Sequence, residues 1–322
     1  MKKSTLFGYL IKGAALLCVI GPASVLPAGQ DPRLLPLVPP GAEIVAGFIA
    51  GQPVSHLVAT RNNTTDLQDL ESIVGIDPTR TIGAVILIAA SGIRGFVTEH
   101  SLVVSGRFDA RHIFKAAKEN GATEGEYLGV PVLIVPPLDR DKEVSDNVRW
   151  FAVIGSEIAV FGTIPMVQEE IRRYLARSEV DISLRRDLSR LRSNDQSWCV
   201  LSSALNTTEV TRRWLAMLDP ARGQANFVHG RVIMGIHFGR QIEIEFEEVP
   251  DSANIVDQLG PQPQISQTPQ PGTAPLTSQF VSNGDTTLHK VIKLSRKQYE
   301  QWTAREQARE QNARRMDAPS IP

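Results

Sequence analysis

The chain has 322 residues, of which 42% are hydrophobic and 21% are charged, and its formal net charge is −1 at pH 7. These proportions are typical of a globular protein with a substantial hydrophobic core. A net charge close to zero argues against a nucleic-acid-binding protein, which normally presents a strongly basic face.

The first 29 residues have the layout of a secretory signal peptide. Two lysines precede a short apolar stretch, residues 13–20, which ends before Pro22 and is followed by small residues. The apolar stretch is too short to cross a bilayer as a helix. We therefore predict cleavage within residues 23–29 and export to the periplasm or the cell exterior. The alternative is an uncleaved N-terminus that anchors the chain to a membrane.

Residues 30–259 are predicted to form the folded body. Residues 43–50 are typical of a strand, and the threonines within residues 62–65 can cap the helix that follows them. Residues 82–90 form a nearly continuous apolar run, which indicates a strand buried on both faces.

The block from residue 100 to residue 137 contains a strand, a helix and a second strand. Alternating apolar residues lead up to Phe108, and Asp109 stands where a helix N-cap belongs. Gly121 is placed to end the helix, and two prolines end the second strand at residues 130–135. We interpret Asp109 as a structural cap with no catalytic role.

The next segment alternates between strands and helices. A glycine-containing turn at residues 155–157 predicts a hairpin. Apolar residues at helical spacing then predict a helix ending near Leu175 and a shorter one over residues 184–191. A strand over residues 197–203 and a helix over residues 210–218 follow.

The hairpin between residues 227 and 249 shows the strongest alternation of apolar and acidic residues. Its register must keep the apolar residues on one face. We predict a three-residue loop, residues 238–240. This register predicts four cross-strand pairs: Ile236 with Ile242, Met234 with Ile244, Val232 with Phe246, and Arg231 with Glu247 on the outer face.

Two stretches share the order strand, helix, hairpin, helix: residues 43–120 and residues 197–259. Shared element order at little residue identity indicates an internal repeat, which has to be considered before a fold is assigned. Hairpins interrupted by helices favour an α+β fold with largely antiparallel sheets and helices on one face.

The composition changes after the body. Residues 260–285 are rich in proline and glutamine and are predicted to be a linker. Residues 286–322 are predicted to be a basic, mainly helical tail, with a short strand at residues 288–294. From residue 290 to residue 315 there are eight basic and three acidic residues, so the tail is a candidate docking element for an acidic protein or for anionic lipid. The alternative is a solvated helix without a partner.

No catalytic, cofactor-binding or metal-binding residues are predicted. The six histidines (His56, His100, His112, His229, His237 and His289) show no metal-binding spacing. No nucleophile elbow, phosphate-binding loop or dinucleotide fingerprint occurs. Cys199, alone after signal cleavage, is predicted to lie in a buried strand; a nucleophilic thiol there would need a base and an electropositive setting.

Several packing motifs resemble those of a group of secreted bacterial proteins of unknown function. They are Leu35-Pro36, Pro40 to Glu43, the strand-to-helix junction Gly106 to Asp109, Tyr127 to Val132, and Ile242 to Leu259. The resemblance covers residues 34–259 and implies an exported protein. It implies no catalytic residues.

Together these patterns predict an exported, non-enzymatic protein that binds another component of the cell envelope. Two alternatives stay open. One is a periplasmic enzyme of the hydrolase class whose site is assembled from distant residues. The other is a structural module anchored to the membrane by its N-terminus.

Overall fold

The computed structural model describes residues 30–49, 82–91, 97–135, 148–202, 230–250 and 288–301. In these residues the chain forms one 11-stranded sheet in which all neighbouring strands are antiparallel. The strands are β1 (Ile44–Ile49), β2 (Ile82–Ser91), β3 (Val97–Gly106), β4 (Thr123–Tyr127), β5 (Val130–Val135), β6 (Arg149–Ile154), β7 (Ile158–Thr163), β8 (Ser197–Leu201), β9 (Gly230–Phe238), β10 (Ile242–Pro250) and β11 (Leu288–Leu294).

The described helices are α1 (Ala110–Glu119), α2 (Ile164–Leu175) and α3 (Ile182–Leu188), together with a 3-10 turn at Leu35–Leu37. Residues 296–301 are also helical. None of the helices in the described ranges is long and apolar enough to cross a membrane.

The strand order is β11-β10-β9-β8-β1-β2-β3-β7-β6-β5-β4. Three meanders therefore lie side by side: β1 to β3 in the centre, β4 to β7 next to β3, and β8 to β11 next to β1. The prediction of antiparallel pairing is confirmed, but the strands join into one sheet.

Both faces of the sheet are covered. On one side, which we call the α1 face, Leu102 and Val104 of β3 share a core with Ile113 of α1 and with Tyr299. On the other side, the α2 face, Val103 joins a core built from α2, α3 and the 3-10 turn. The prediction of helices on one face is therefore wrong. Central strands such as β3 are apolar at consecutive positions, so each face needs its own cover.

The local helix signals are reproduced. The Asp109 carboxylate accepts a hydrogen bond from the His112 backbone N–H at 3.1 Å, as an N-cap does. Gly121 has a φ of +92°, the left-handed conformation that favours glycine after a helix. Asp181 caps α3 by accepting from the backbone N–H groups of Ser183 and Leu184.

The β9–β10 hairpin has a different register from the predicted one. Phe238 pairs with Ile242, so the loop is residues 239–241, and the Arg231–Glu247 pair is absent because Arg231 lies opposite Val249. A shift of two residues keeps every apolar side chain on the same face, so the pattern alone could not exclude it. Tertiary contacts hold Phe238 in the strand: its N–H donates to Gln196 Oε1 at 2.7 Å, and its ring packs against Tyr299.

The C-terminal strand predicted at residues 288–294 is β11, an edge strand of the same sheet. The first part of the basic tail is thus integrated into the fold. Several predicted segments lie outside the described residues. They are the linker, residues 302–322, the helix predicted after residue 62, the helix predicted at residues 210–218, and the last helix of the stretch 197–259. The internal repeat depends on those helices and stays a prediction.

Candidate functional site

Basic and exposed apolar residues meet at the corner between α2 and α3, residues 172–186, which we call the arginine corner. It contains five arginines and two acidic residues. Helix α2 ends at Leu175, and Asp181 opens α3 six residues later. The Arg173 Nη2 group donates to the Glu179 carbonyl at 2.8 Å, which ties the end of α2 to the connecting loop.

Three large hydrophobic side chains are exposed at this corner. Ile182 is 83% exposed, Leu175 48% and Tyr174 40%, and the only other large hydrophobic residue exposed in the described ranges is Leu128. In α3, Ile182 shares the outer face with Arg185 and Arg186, because residues three and four positions apart lie on one side of a helix. Leu184 and Leu188 occupy the opposite, buried face. The corner therefore presents apolar tips among positive charges.

Most arginines of the corner keep their charge available. Arg172 is paired with Glu169 and also donates to the Tyr127 hydroxyl at 3.3 Å. Arg185 lies 4.0 Å from Glu179, a pair whose partners are both largely exposed, so the interaction is weak. Among the described residues, neither Arg177 nor Arg186 has an ion-pair partner.

A second charged cluster lies on the α2 face of β9 to β11, but its charges are paired. Arg192 contacts both Glu243, at 2.7 Å, and Glu245. Lys293 of β11 lies 3.0 Å from Glu243, and His289 contacts Glu245. Hydrogen bonds from Lys293 and Arg192 lower the pKa of Glu243. This cluster attaches the edge strand to the sheet and offers no free group for chemistry.

Three carboxyl groups are buried beneath the α2 face, those of Glu170, Asp187 and Asp195. Asp187 of α3 is paired with Arg231 at 2.9 Å. Glu170 of α2 is fully buried and accepts a hydrogen bond from Ser101 Oγ; loss of solvation raises its pKa well above the usual value. Asp195 is 2% exposed and accepts from the Arg192 backbone N–H at 3.0 Å. Burial raises the pKa of Asp195 to about 6. Its carboxylate occupies the space above Gly235, where any Cβ would collide with it.

Cys199 is buried in β8, as predicted. Burial raises the pKa of its thiol to about 12, so the thiolate needed for nucleophilic attack is not populated at neutral pH. The nucleophile interpretation has no support in this environment.

The histidines are dispersed. His100 is buried in β3 and His112 is exposed on α1. His237 Nδ1 lies 2.8 Å from the Asn194 carbonyl oxygen. His56 and His229 lie outside the described residues. Within the described ranges, no group of three or more His, Cys, Asp or Glu side chains is arranged to hold a metal ion.

Helical periodicity in residues 164–191 indicates only two amphipathic helices, so sequence reasoning missed the arginine corner. The count of basic and acidic residues that draws attention to residues 290–315 also picks out residues 172–186. The exposure of Ile182, in contrast, follows from how α3 is seated on the sheet.

No family model matches the chain, and no curated protein matches it. Among solved structures, the chain is similar to TP0453 in its crystal form I, with a TM-score of 0.49 and 11% sequence identity over 85% of this chain and 97% of that one. A similarity of this size carries no argument about function.

Proposed function

We propose that the chain is an exported, non-enzymatic protein of the bacterial cell envelope, and that its arginine corner docks on an anionic lipid surface. The observation that carries this proposal is the exposure of Ile182, 83%, in a corner with five arginines and two acidic residues. Exposed apolar residues among basic residues are the combination that interfacial membrane binding uses.

The magnitudes favour reversible binding. Burying one large aliphatic side chain contributes about 1.5–3 kcal/mol, and Ile182 could supply most of that. Each basic residue near an anionic surface adds about 1 kcal/mol. Ile182, Leu175 and the unpaired Arg177 and Arg186 together supply several kcal/mol, which is enough for peripheral attachment.

The test is co-sedimentation of the mature protein with vesicles of phosphatidylcholine, with and without phosphatidylglycerol. We expect binding to the anionic vesicles that weakens as salt rises, since exposed charges are screened. The variant Arg185→Glu/Arg186→Glu should bind at least tenfold more weakly, and Ile182→Ser should also weaken binding.

A matched control reverses two exposed arginines elsewhere, Arg107→Glu/Arg111→Glu, at the start of α1 on the other side of the sheet. Both double variants change the net charge by the same amount. If the two double variants lose vesicle binding equally, binding depends only on the net charge of the protein, and the docking proposal is refuted.

The C-terminal tail, residues 286–322, remains a second proposed docking element for an acidic partner. Its strand β11 pairs with β10, and Tyr299 is buried, so a deletion that begins in the linker would damage the sheet. A truncation after residue 301 retains β11 and Tyr299 in the chain. Loss of a crosslinked envelope partner in that truncation would support the tail, and an unchanged pattern would count against it.

The alternative proposals have weaker support. A hydrolase site requires carboxyl or histidine groups with perturbed pKa values that face a cavity. One cavity lies between the 3-10 turn, the β6–β7 turn and the end of α2, and a groove runs beside α1, lined by Phe114 and Pro131 among others. The buried carboxyl groups Glu170, Asp187 and Asp195 line neither of them. The anchored structural module depends on the N-terminal residues, which lie outside the described ranges; detection of Met1 in the membrane-bound protein would support it.

A further inference from the structure

A cavity of about 530 Å³ opens beside the arginine corner. It lies between the 3-10 turn, the β6–β7 turn and the end of α2, and its lining includes Arg33, Glu157, Arg173, Tyr174 and Arg177. The volume falls within the roughly 300–1,000 Å³ usual for small-molecule sites.

Two of the three arginines in the cavity, Arg173 and Arg177, have no ion-pair partner among the described residues. Arg33 is neutralised by Asp31 at 2.6 Å and Glu157 at 2.9 Å. The half-buried Arg173 donates from Nε to the Pro36 carbonyl and from Nη2 to the Glu179 carbonyl, both at 2.8 Å. These two carbonyl oxygens use two of the five N–H donors of Arg173 and hold the guanidinium in place, so three donors stay available. The charge of Arg173 contributes to lowering the pKa of Asp181, but the two side chains form no ion pair.

Arg177 supplies an independent observation. It has a φ of +49° and directly follows the C-cap residue of α2. The Arg177 N–H donates to the Tyr174 carbonyl and the Ser178 N–H to the Arg173 carbonyl, both at 3.0 Å, which is the bonding pattern of a Schellman motif. Glycine is the residue preferred at that position, because a Cβ is strained there.

The side chain of Arg177 makes no stabilising polar contact, within the described part of the fold, that would offset this strain. It has no side-chain hydrogen bond or ion pair there, and it lines the cavity. A strained residue with an unused cationic side chain points to a ligand that uses it.

We infer that this cavity binds a terminal phosphate, that is, a phosphate monoester, and that the group belongs to the headgroup of a phospholipid such as phosphatidic acid at the surface on which the arginine corner docks. The lipid source rests on the proposed function; the phosphate chemistry does not. Guanidinium groups bind phosphate through paired hydrogen bonds, and Arg173 and Arg177 supply two of them. Tyr174 and Ser156 line the same cavity, and each carries a hydroxyl group that can donate a hydrogen bond.

The experiment compares vesicles that contain phosphatidic acid, whose phosphate is a monoester, with vesicles that contain phosphatidylserine, whose phosphate is a diester, at matched zeta potential. The wild-type protein should bind the phosphatidic acid vesicles at least fivefold more tightly. Arg177→Gly should abolish this preference while Tm stays unchanged or rises, because glycine relieves the strain. The matched control Arg186→Ala, on the outer face of α3, should weaken binding to both vesicles equally and keep the preference.

A second arm titrates glycerol 3-phosphate and inorganic phosphate against the protein by calorimetry. Competition by glycerol 3-phosphate that is lost in Arg177→Gly supports the headgroup site. A third outcome is that soluble phosphates bind through Arg177 but the wild-type protein binds no vesicles. This outcome would support the phosphate site and overturn both the lipid source and the docking surface. A headgroup preference that survives in Arg177→Gly would overturn the assignment of the cavity.

Discussion

Replacing Gly47 by alanine tests how the centre of the sheet is packed. Gly47 of β1 lies directly opposite Trp198 of β8, and the indole is completely buried. A Cβ on Gly47 would lie 2.5 Å from the indole Nε1 and closer still to two ring carbons. Packed carbon atoms are normally separated by about 3.5–4.0 Å, so the indole would have to move or the two strands would have to separate.

Overpacking of a core usually costs about 1–3 kcal/mol. Because neither the ring nor the strands have free space, we expect Gly47→Ala to lower the free energy of unfolding by about 2–3 kcal/mol. Gly83→Ala in β2 is the matched control, because its Cβ would lie 3.6 Å from Ser105 Oγ, an ordinary contact. That control should be neutral or stabilising by up to about 1 kcal/mol.

The assay is urea unfolding followed by far-UV circular dichroism, for both variants and for a double-mutant cycle with Trp198→Phe. The smaller phenyl ring should reduce the cost of Gly47→Ala to below about 1 kcal/mol. Equal midpoints for Gly47→Ala and Gly83→Ala, or an unchanged cost in the Trp198→Phe background, would refute the packing argument.

Three further predictions concern stability. The pKa of Glu170 is raised in the folded state, so above pH 4.5 the folded protein retains a proton that the unfolded chain releases. The free energy of unfolding of the wild-type protein should therefore fall as pH rises above 4.5, and Glu170→Gln should remove this fall. Thermal melts across pH check this, and a wild-type curve that rises through that range would contradict it. Likewise, the free energy of unfolding should decline between pH 3.8 and about 6 in the wild-type protein, and Asp195→Asn should remove that decline. Urea unfolding at each pH measures it, and a decline that persists in the variant would count against the burial of this carboxyl group. Ile292→Ala in β11 should lower the free energy of unfolding by about 2–5 kcal/mol, because Ile292 is a buried core residue. Lys293→Ala, at an exposed position of the same strand, should lower it by less than about 1 kcal/mol. Equal effects of the two variants would show that β11 contributes no residue to the core.

Much of the secondary structure could be read from local patterns. The Asp109 cap, the turn at residues 155–157 and the alternation in β10 each depend on neighbouring residues, and each is present. The β9–β10 register could not be read in this way, because two alternatives that differ by two residues place the same side chains on the same faces. Two tertiary contacts of Phe238 decide between the two registers. One is with Gln196, which is distant in sequence, and the other is with Tyr299, which lies beyond the linker.

The candidate site was predictable only in its charge. The sequence shows five arginines in residues 172–186, but it does not show that Arg173 donates to carbonyls or that Arg177 has a left-handed backbone. It also does not show that the arginines face a cavity completed by the β6–β7 turn and the 3-10 turn.

The sequence by itself determined the α+β class, the positions of most described strands and helices, and the absence of recognisable catalytic motifs, because periodicity and capping are properties of neighbouring residues. The tertiary structure alone decided that the strands join into one sheet with helices on both faces, that β11 belongs to it, and that Ile182 and Arg177 are left available. Those outcomes depend on which distant segments compete for the same buried surface, and a local pattern contains no information about that competition.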